Sequence, residues 1–303
     1  MRERKWYGVV PAIAAIAMLV VPSVVSAQSV EAIRAAMGAM NAQLEAMGYT
    51  VRIETVEYYT VGHAAGQIVH FEDRAKQMDS HWVPGDPRRG GFTDIAWLSD
   101  QTEGAATSLT LAQTQTATSN AMVTWDGVKS TYIPLTQLPD LGIDWGLVQW
   151  LAGLGGINGW WADITHAGWL PGIFFDIVGG PGGSTSILGI TFTFVWIDGS
   201  GNLTDIDNNR KSDVAFREIY YNNWFPWGIN TGFPIDVETV VLHETGHGLS
   251  QDHFGKLFST EANGILHFAP RAVMNAGYTG VQQVLTGTDR GGHNSIWASW
   301  PLR

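Results

Sequence analysis

Hydrophobic and polar positions along the chain fall into stretches of two different periods. Val30, Ile33, Met37, Met40, Leu44 and Met47 recur every three or four residues, which predicts an amphipathic helix over residues 28–48 ended by Gly48. Residues 49–61 are rich in β-branched and aromatic side chains and predict the first strand. Ala117, Ala121 and Trp125, four apart, predict a long helix from Thr110 to Asp126 closed by Gly127, with a strand following over 128–135. The run ILGITFTFVWI, Ile187 to Ile197, alternates cleanly. Ile190, Phe192, Phe194 and Trp196 share one face, and Thr191, Thr193 and Val195 the other. Glu218 to Asn222 predicts a further strand. Between these lie a turn-prone stretch from Trp82 to Gly91 and a segment over 136–186 rich in glycine and tryptophan. Its Trp145, Trp150, Trp160, Trp161 and Trp169 predict a buried aromatic cluster holding down a long loop. His63, His70 and His81 are expected to be solvated loop histidines.

One stretch departs from simple patterning: DVETVVLHETGHGLSQDHF, Asp236 to Phe254. Asp236 is placed to cap a helix, Glu238 favours the positive end of its dipole, and Val237, Val240, Val241 and Leu242 supply its buried stem. On that helix His243 and His247 lie one turn apart on the same face, so both imidazoles can reach a single ion. Glu244 projects about 100° round the axis from His243, within reach of a water on that ion without ligating it. Gly246 and Gly248 let the chain leave the helix, after which His253 can return as a third ligand. Three neutral nitrogens with one open position is the pattern of catalytic zinc, whereas structural zinc is closed by four ligands, mostly sulfur. The chain has no cysteine from which to build the latter. Two alternatives keep part of this reading. An acidic third ligand, such as Glu261 or Asp289, would still give a zinc hydrolase, and a metal-stabilised binding protein would have no use for Glu244.

HETGHGLSQDH resembles the zinc-binding consensus of the metzincin clan of metalloendopeptidases, H-E-x-x-H-x-x-G-x-x-H, and the chain looks like bacterial secreted matrixin-like proteases. Ser250 stands where the clan has glycine, and a glycine sits two places earlier at Gly248. The resemblance implies an α+β fold over residues 49–303: a loop-rich, twisted mixed sheet with a long helix and a zinc-site helix. It implies that Met274, in PRAVMNAGY, forms a methionine turn beneath the ion, and that Ala162-Asp163-Ile164 is a short strand before the edge strand. By the same resemblance, Ile187–Ile197 is the edge strand along which a protein or peptide substrate binds, although an interior strand would read the same way. A tyrosine two residues after the methionine assists the chemistry in some members. Here Tyr278 lies four residues beyond, a candidate for transition-state support displaced from that position.

Asp205, Asp207, Asn209 and Asp213 occupy positions 1, 3, 5 and 9 of D-x-D-x-N-x-x-x-D, oxygen ligands suited to calcium. Position 6, usually glycine, is Arg210, and a solvated acidic turn is the competing reading. The N-terminus has a basic start in Arg2, Arg4 and Lys5, an apolar run from Val9 to Val21, and a small-residue cleavage site at Val25-Ser26-Ala27. Residues 1–27 therefore read as a signal peptide, and the product as a secreted protein with no membrane association after cleavage, expected to be monomeric. The helix over 28–48 is either a pro-segment remnant or an ordinary part of the domain. Cleavage would leave 14 basic against 27 acidic residues, which disfavours nucleic acid and anionic membranes and suits divalent cations. Without disulfides, stability must come from core burial and from bound metal, zinc and, where the acidic loop takes it, calcium.

Overall fold

The computed structural model describes residues 7–8, 30–61, 65–72, 79–259 and 266–302; the apolar run and cleavage site of the leader, His63 and Glu261 lie outside the described residues. Helix α1 (Val30–Ala46) buries Ile33, Met37, Met40 and Leu44, the face the periodicity assigns. It ends before Gly48, whose φ of 77° lies in the left-handed region where a Cβ is costly. Strand β1 (Val51–Thr60) follows and folds back on β2 (Ile68–His70). Then come β3 (Ile95–Ser99) and α2 (Leu111–Asp126), which starts at a Thr110–Gln113 capping box. Strand β4 (Leu135–Gln137) begins where a strand over 128–135 was expected to end. Val128 and Ile133 are instead buried in a turn that packs under α2.

The rest of the chain adds α3 (Leu147–Leu151), β5 (Ile164–Leu170), α4 (Gly172–Gly179), β6 (Ile187–Trp196), β7 (Ser212–Asn222) and α5 (Val237–Gly248). A short hairpin of β8 (Lys256–Ser259) with β9 (Leu266–Ala269) precedes the last helix, α6 (Gly287–Trp297). The main sheet runs β2-β1-β6-β7-β5-β3-β4, and a two-residue strand at Ser80–His81 joins the start of β7 in parallel. Strands β7, β5, β3 and β4 are mutually parallel, whereas β6 is antiparallel to both of its neighbours. The fold is therefore α+β with a mixed sheet.

Helices cover both faces of the sheet. On one face α2 and α5 pack through Trp125, Val240 and Val241 onto Ile164, Ile219 and Tyr221. On the other, α1, α3 and α4 pack through Met37, Leu147 and Phe174 onto Ile53, Phe192 and Tyr220. Burial on both sides explains why β6 and β7 are buried along their whole lengths. The alternation of β6 holds: Ile190, Phe192, Phe194 and Trp196 join the α1 core, and Thr191 and Thr193 look toward α5.

Its place in the sheet differs from the edge-strand expectation. β6 is interior, because β1 pairs along it from Val51–Trp196 to Thr60–Ile187 while β7 holds its other side. A substrate peptide has no free edge there. Trp145, Trp160 and Trp169 are buried, but in three separate clusters rather than the single one expected, and Trp150 and Trp161 are only partly buried, because the segment spreads its tryptophans over both faces of the sheet and its edge. His81 is buried too, its ring edge-on to Trp297, rather than solvated. Among the described residues no helix is long and apolar enough to cross a membrane.

Candidate metal centre

Helix α5 carries the site. Asp236 caps it through Oδ1, which accepts from the backbone N–H and the hydroxyl of Thr239 at 2.9 and 2.6 Å. Further along this helix the imidazoles of His243 and His247 project from one face, and the loop after Leu249 brings His253 back to them. The three Nε2 atoms converge, 3.1 Å from His243 to His247, 3.1 Å from His243 to His253 and 3.0 Å from His247 to His253. Each outer nitrogen of the helical pair is bonded away from the centre: His243 Nδ1 to the Val273 carbonyl and His247 Nδ1 to the Gln251 carbonyl, both at 2.7 Å. That pattern sets the tautomer with Nε2 lone pairs facing inward, the form a metal requires.

The residues present fit a zinc ion. Nitrogens about 2.0–2.1 Å from one ion and this far apart subtend roughly 95° at it, near-tetrahedral with a position left over. Burial, then the neighbouring histidine, pushes His243 well below its ordinary value, and the same causes act on His253. Both are neutral, as ligands must be. Burial also opposes charge on His247, but the Glu57 carboxylate beside Nδ1 outweighs it and lifts this group to about 9.

Glu244 is fully buried. Its Oε2 accepts the Thr191 hydroxyl at 2.6 Å, while Oε1 has no partner. Burial pushes the carboxyl up to about 7 against the lowering influence of His247 and Thr191. The side chain fits because Gly189 lies opposite: a Cβ there would stand 2.7 Å from Glu244 Cγ and from Oε1.

The path from His247 to His253 keeps its turn without the glycine. Ser250 has φ of 63°, the left-handed conformation that a glycine at this place would adopt freely. Its hydroxyl accepts from Arg217 Nη1 at 2.8 Å, and the same nitrogen reaches the His247 and Gly248 carbonyls at 2.8 and 3.0 Å. Arg217 therefore caps the C-terminus of α5, where unpaired carbonyls and the negative end of the dipole favour a cation. Sequence reading missed it. The available signal was Arg217-Glu218, a charged pair inside an otherwise apolar strand, where buried charge demands partners. Glu218 meets that demand on the other face by accepting the N–H groups of Leu147 and Val148 at 2.7 and 2.9 Å.

Met274 lies under the helix, fully buried. A Cβ on Gly246 would stand 2.3 Å from its sulfur. Asp289, considered above as a third ligand, is instead tied to this turn, its carboxylate accepting the N–H groups of Val273 and Met274 at 3.1 Å each. Tyr278 is tied to the start of α5, its ring edge-on to Tyr59, which stacks on His243. Its hydroxyl accepts from the Asp236 N–H at 3.0 Å and lies 3.5 Å from the Thr231 carbonyl, at the opposite end of α5 from His247.

Asp205, Asp207 and Asp213 do come together, with one carboxylate oxygen of each within 4.8 Å of the others. Arg210 has φ of 67°, so the turn is made without glycine. The oxygens are occupied from within the loop and its neighbours. Asp205 accepts the N–H groups of Asn209 and Arg210 at 2.9 Å each, Asn209 Nδ2 donates to Asp207, and Asp213 takes Thr204 and the Arg88 guanidinium. Asn209 Oδ1 accepts the Lys211 N–H at 2.7 Å, so the loop is internally hydrogen-bonded while its three carboxylates stay close enough together to hold a cation.

No protein-family model matches the chain, and no curated protein matches it.

Proposed function

We propose that this chain is an exported zinc-dependent endopeptidase of the metzincin type, with His243, His247 and His253 as metal ligands and Glu244 as the general base. The observation that carries the reading is the convergence of three Nε2 atoms within 3.1 Å beside a buried carboxylate with one unpartnered oxygen. A structural site has no need of that carboxylate. Ser250 in the left-handed conformation and Met274 under α5 support the same clan resemblance.

When bound, zinc supplies Lewis acidity and a water acidified toward neutrality. The chain's own residues do the rest. Thr191 holds Glu244 by Oε2 and so aims Oε1, which takes a proton from the attacking water and returns it to the departing amine. Desolvation brings this carboxyl near neutrality, where it both accepts and releases a proton readily. Because β1 covers the side of β6, the peptide substrate is taken to approach from the side of His253, the most exposed of the three ligands.

The test is zinc content and quenched-peptide cleavage by the purified chain, run beside Glu244→Ala. The variant is expected to keep one equivalent of zinc and lose about 10²–10⁴-fold in turnover. Full activity in Glu244→Ala would refute the mechanism.

A further inference from the structure

Strand β1 belongs to the part of the chain that no motif covers, yet it forms the ceiling of the metal centre. Its Val51 and Ile53 face the α1 core, and so do Val56 and Tyr58. The change of parity has a visible cause. Ile53 lies opposite Phe194 and Thr55 opposite Thr193, which leaves Glu54 as an extra residue, a β-bulge. Past the bulge the odd-numbered residues are turned to the other face, so Glu57 and Tyr59 point at α5.

There they meet the site residue by residue. Glu57 lies across from Thr191, the hydroxyl that holds Glu244, and Tyr59 lies across from Gly189, the gap that admits it. The Tyr59 ring stacks on His243 with centroids 3.9 Å apart and planes at 14°. Glu57 Oε1 stands 3.1 Å from His247 Nδ1, with the Glu57 side chain 6% exposed. A carboxylate buried to that extent is costly unless it is used. Arg217 does not bond to it, because the donors of that guanidinium go to Thr193, Ser80, Ser250 and the carbonyls of His247 and Gly248.

We propose that Glu57 is a positioning residue of the metal centre: its carboxylate shares the Nδ1–H of His247 with the Gln251 carbonyl, fixing the ring so that Nε2 faces the ion. A carboxylate behind a ligand imidazole holds its tautomer and orientation and makes it a stronger donor. The proposal rests on the reading that the three histidines hold a divalent metal. It makes the N-terminal strand a working part of the centre rather than an addition to the domain.

The experiment measures zinc affinity of the full purified chain by competition with a chromogenic chelator, and follows cobalt substitution by its visible spectrum. Wild type is compared with Glu57→Gln, which keeps the shape and an acceptor oxygen, and with Glu57→Ala. Wild type should bind one equivalent, Glu57→Ala should lose about 10–100-fold in affinity, and Glu57→Gln should fall between them. The cobalt spectrum should shift in both variants. Unchanged affinity and spectrum in the two variants, with equal losses of Tm in the metal-free and loaded forms, would mean Glu57 only packs, and the proposal fails. A wild-type chain that binds no divalent ion overturns the metal reading itself, and this inference with it.

Discussion

Ser250 shows how a left-handed turn is made by a residue other than glycine. A non-glycine residue at φ of 63° carries strain of about 1 kcal/mol or more, and the Arg217 guanidinium offsets it by bonding the Ser250 hydroxyl. Two substitutions separate the terms. Ser250→Gly relieves the backbone and gives up the hydrogen bond, so it should stay within about 1 kcal/mol of wild type. Ser250→Ala keeps the strain and gives up the bond, and should lose about 2 kcal/mol. Urea unfolding of the three proteins checks the order, and an alanine variant more stable than the glycine one would contradict it. Arg210 makes the same substitution of a left-handed side chain for glycine in the acidic loop, at φ of 67°. From sequence alone such a position reads as a broken motif, because a letter shows the preference of a residue and not the partner that overrides it.

At the scale of elements, α5 is a wedge between the sheet and the turn at Met274, and its two glycines do different work. A Cβ on Gly246 would stand 2.3 Å from Met274 Sδ and 2.9 Å from Trp125 Cζ2, while one on Gly248 would find its nearest neighbours, Ile164 and Ile219, at 3.3 Å. Trp125 cannot easily yield, since its Nε1 donates to the Leu242 carbonyl at 2.9 Å. Gly246→Ala should therefore cost about 1–3 kcal/mol through overpacking. Gly248→Ala should cost less than 1 kcal/mol, because it also gains helix propensity. Thermal unfolding of the pair checks this, and equal Tm values would remove the distinction. These elements were legible where local chemistry decides them. The periodicity of α1 and α2, the Asp236 cap and the alternation of β6 all follow from neighbours in sequence. The interior place of β6 was not legible, because strand order depends on distant β1 choosing that edge, Val51 pairing with Trp196. Glu57 and Tyr59 were hidden for a related reason. The bulge at Glu54 reverses which parity faces the α1 core, so an even alternation read along residues 49–61 assigns them to the wrong face.

Over the whole molecule, both faces of the sheet are sealed by helices, and ionisable groups trapped inside couple the fold to pH. His166 on β5 is the clearest case. Burial pushes it down to about 3; its Nδ1 meets the Tyr221 hydroxyl at 2.7 Å and its Nε2 has no partner. A histidine held below its unfolded value of about 6.5 contributes stability that is fully present above that pH. The contribution is lost as pH falls from about 6.5 toward 3, at about 1.4 kcal/mol per pH unit, because the unfolded chain binds a proton that the folded one refuses. Glu54 and Asp252, carboxyls that burial raises to about 7 each, act in the opposite sense and gain as pH falls below 7. The raw pH profile of the protein therefore mixes the two signs, and the histidine has to be isolated by difference. Denaturant unfolding of wild type and His166→Gln between pH 7 and 4 does so, since the glutamine does not titrate while the carboxyls are common to both. Wild type should lose ground to the variant steadily below pH 6.5, by about 3 kcal/mol at pH 4. A gap between the two that stays constant over that range would mean His166 takes up its proton in the folded chain, and that the β5 interior is wetter than its burial implies.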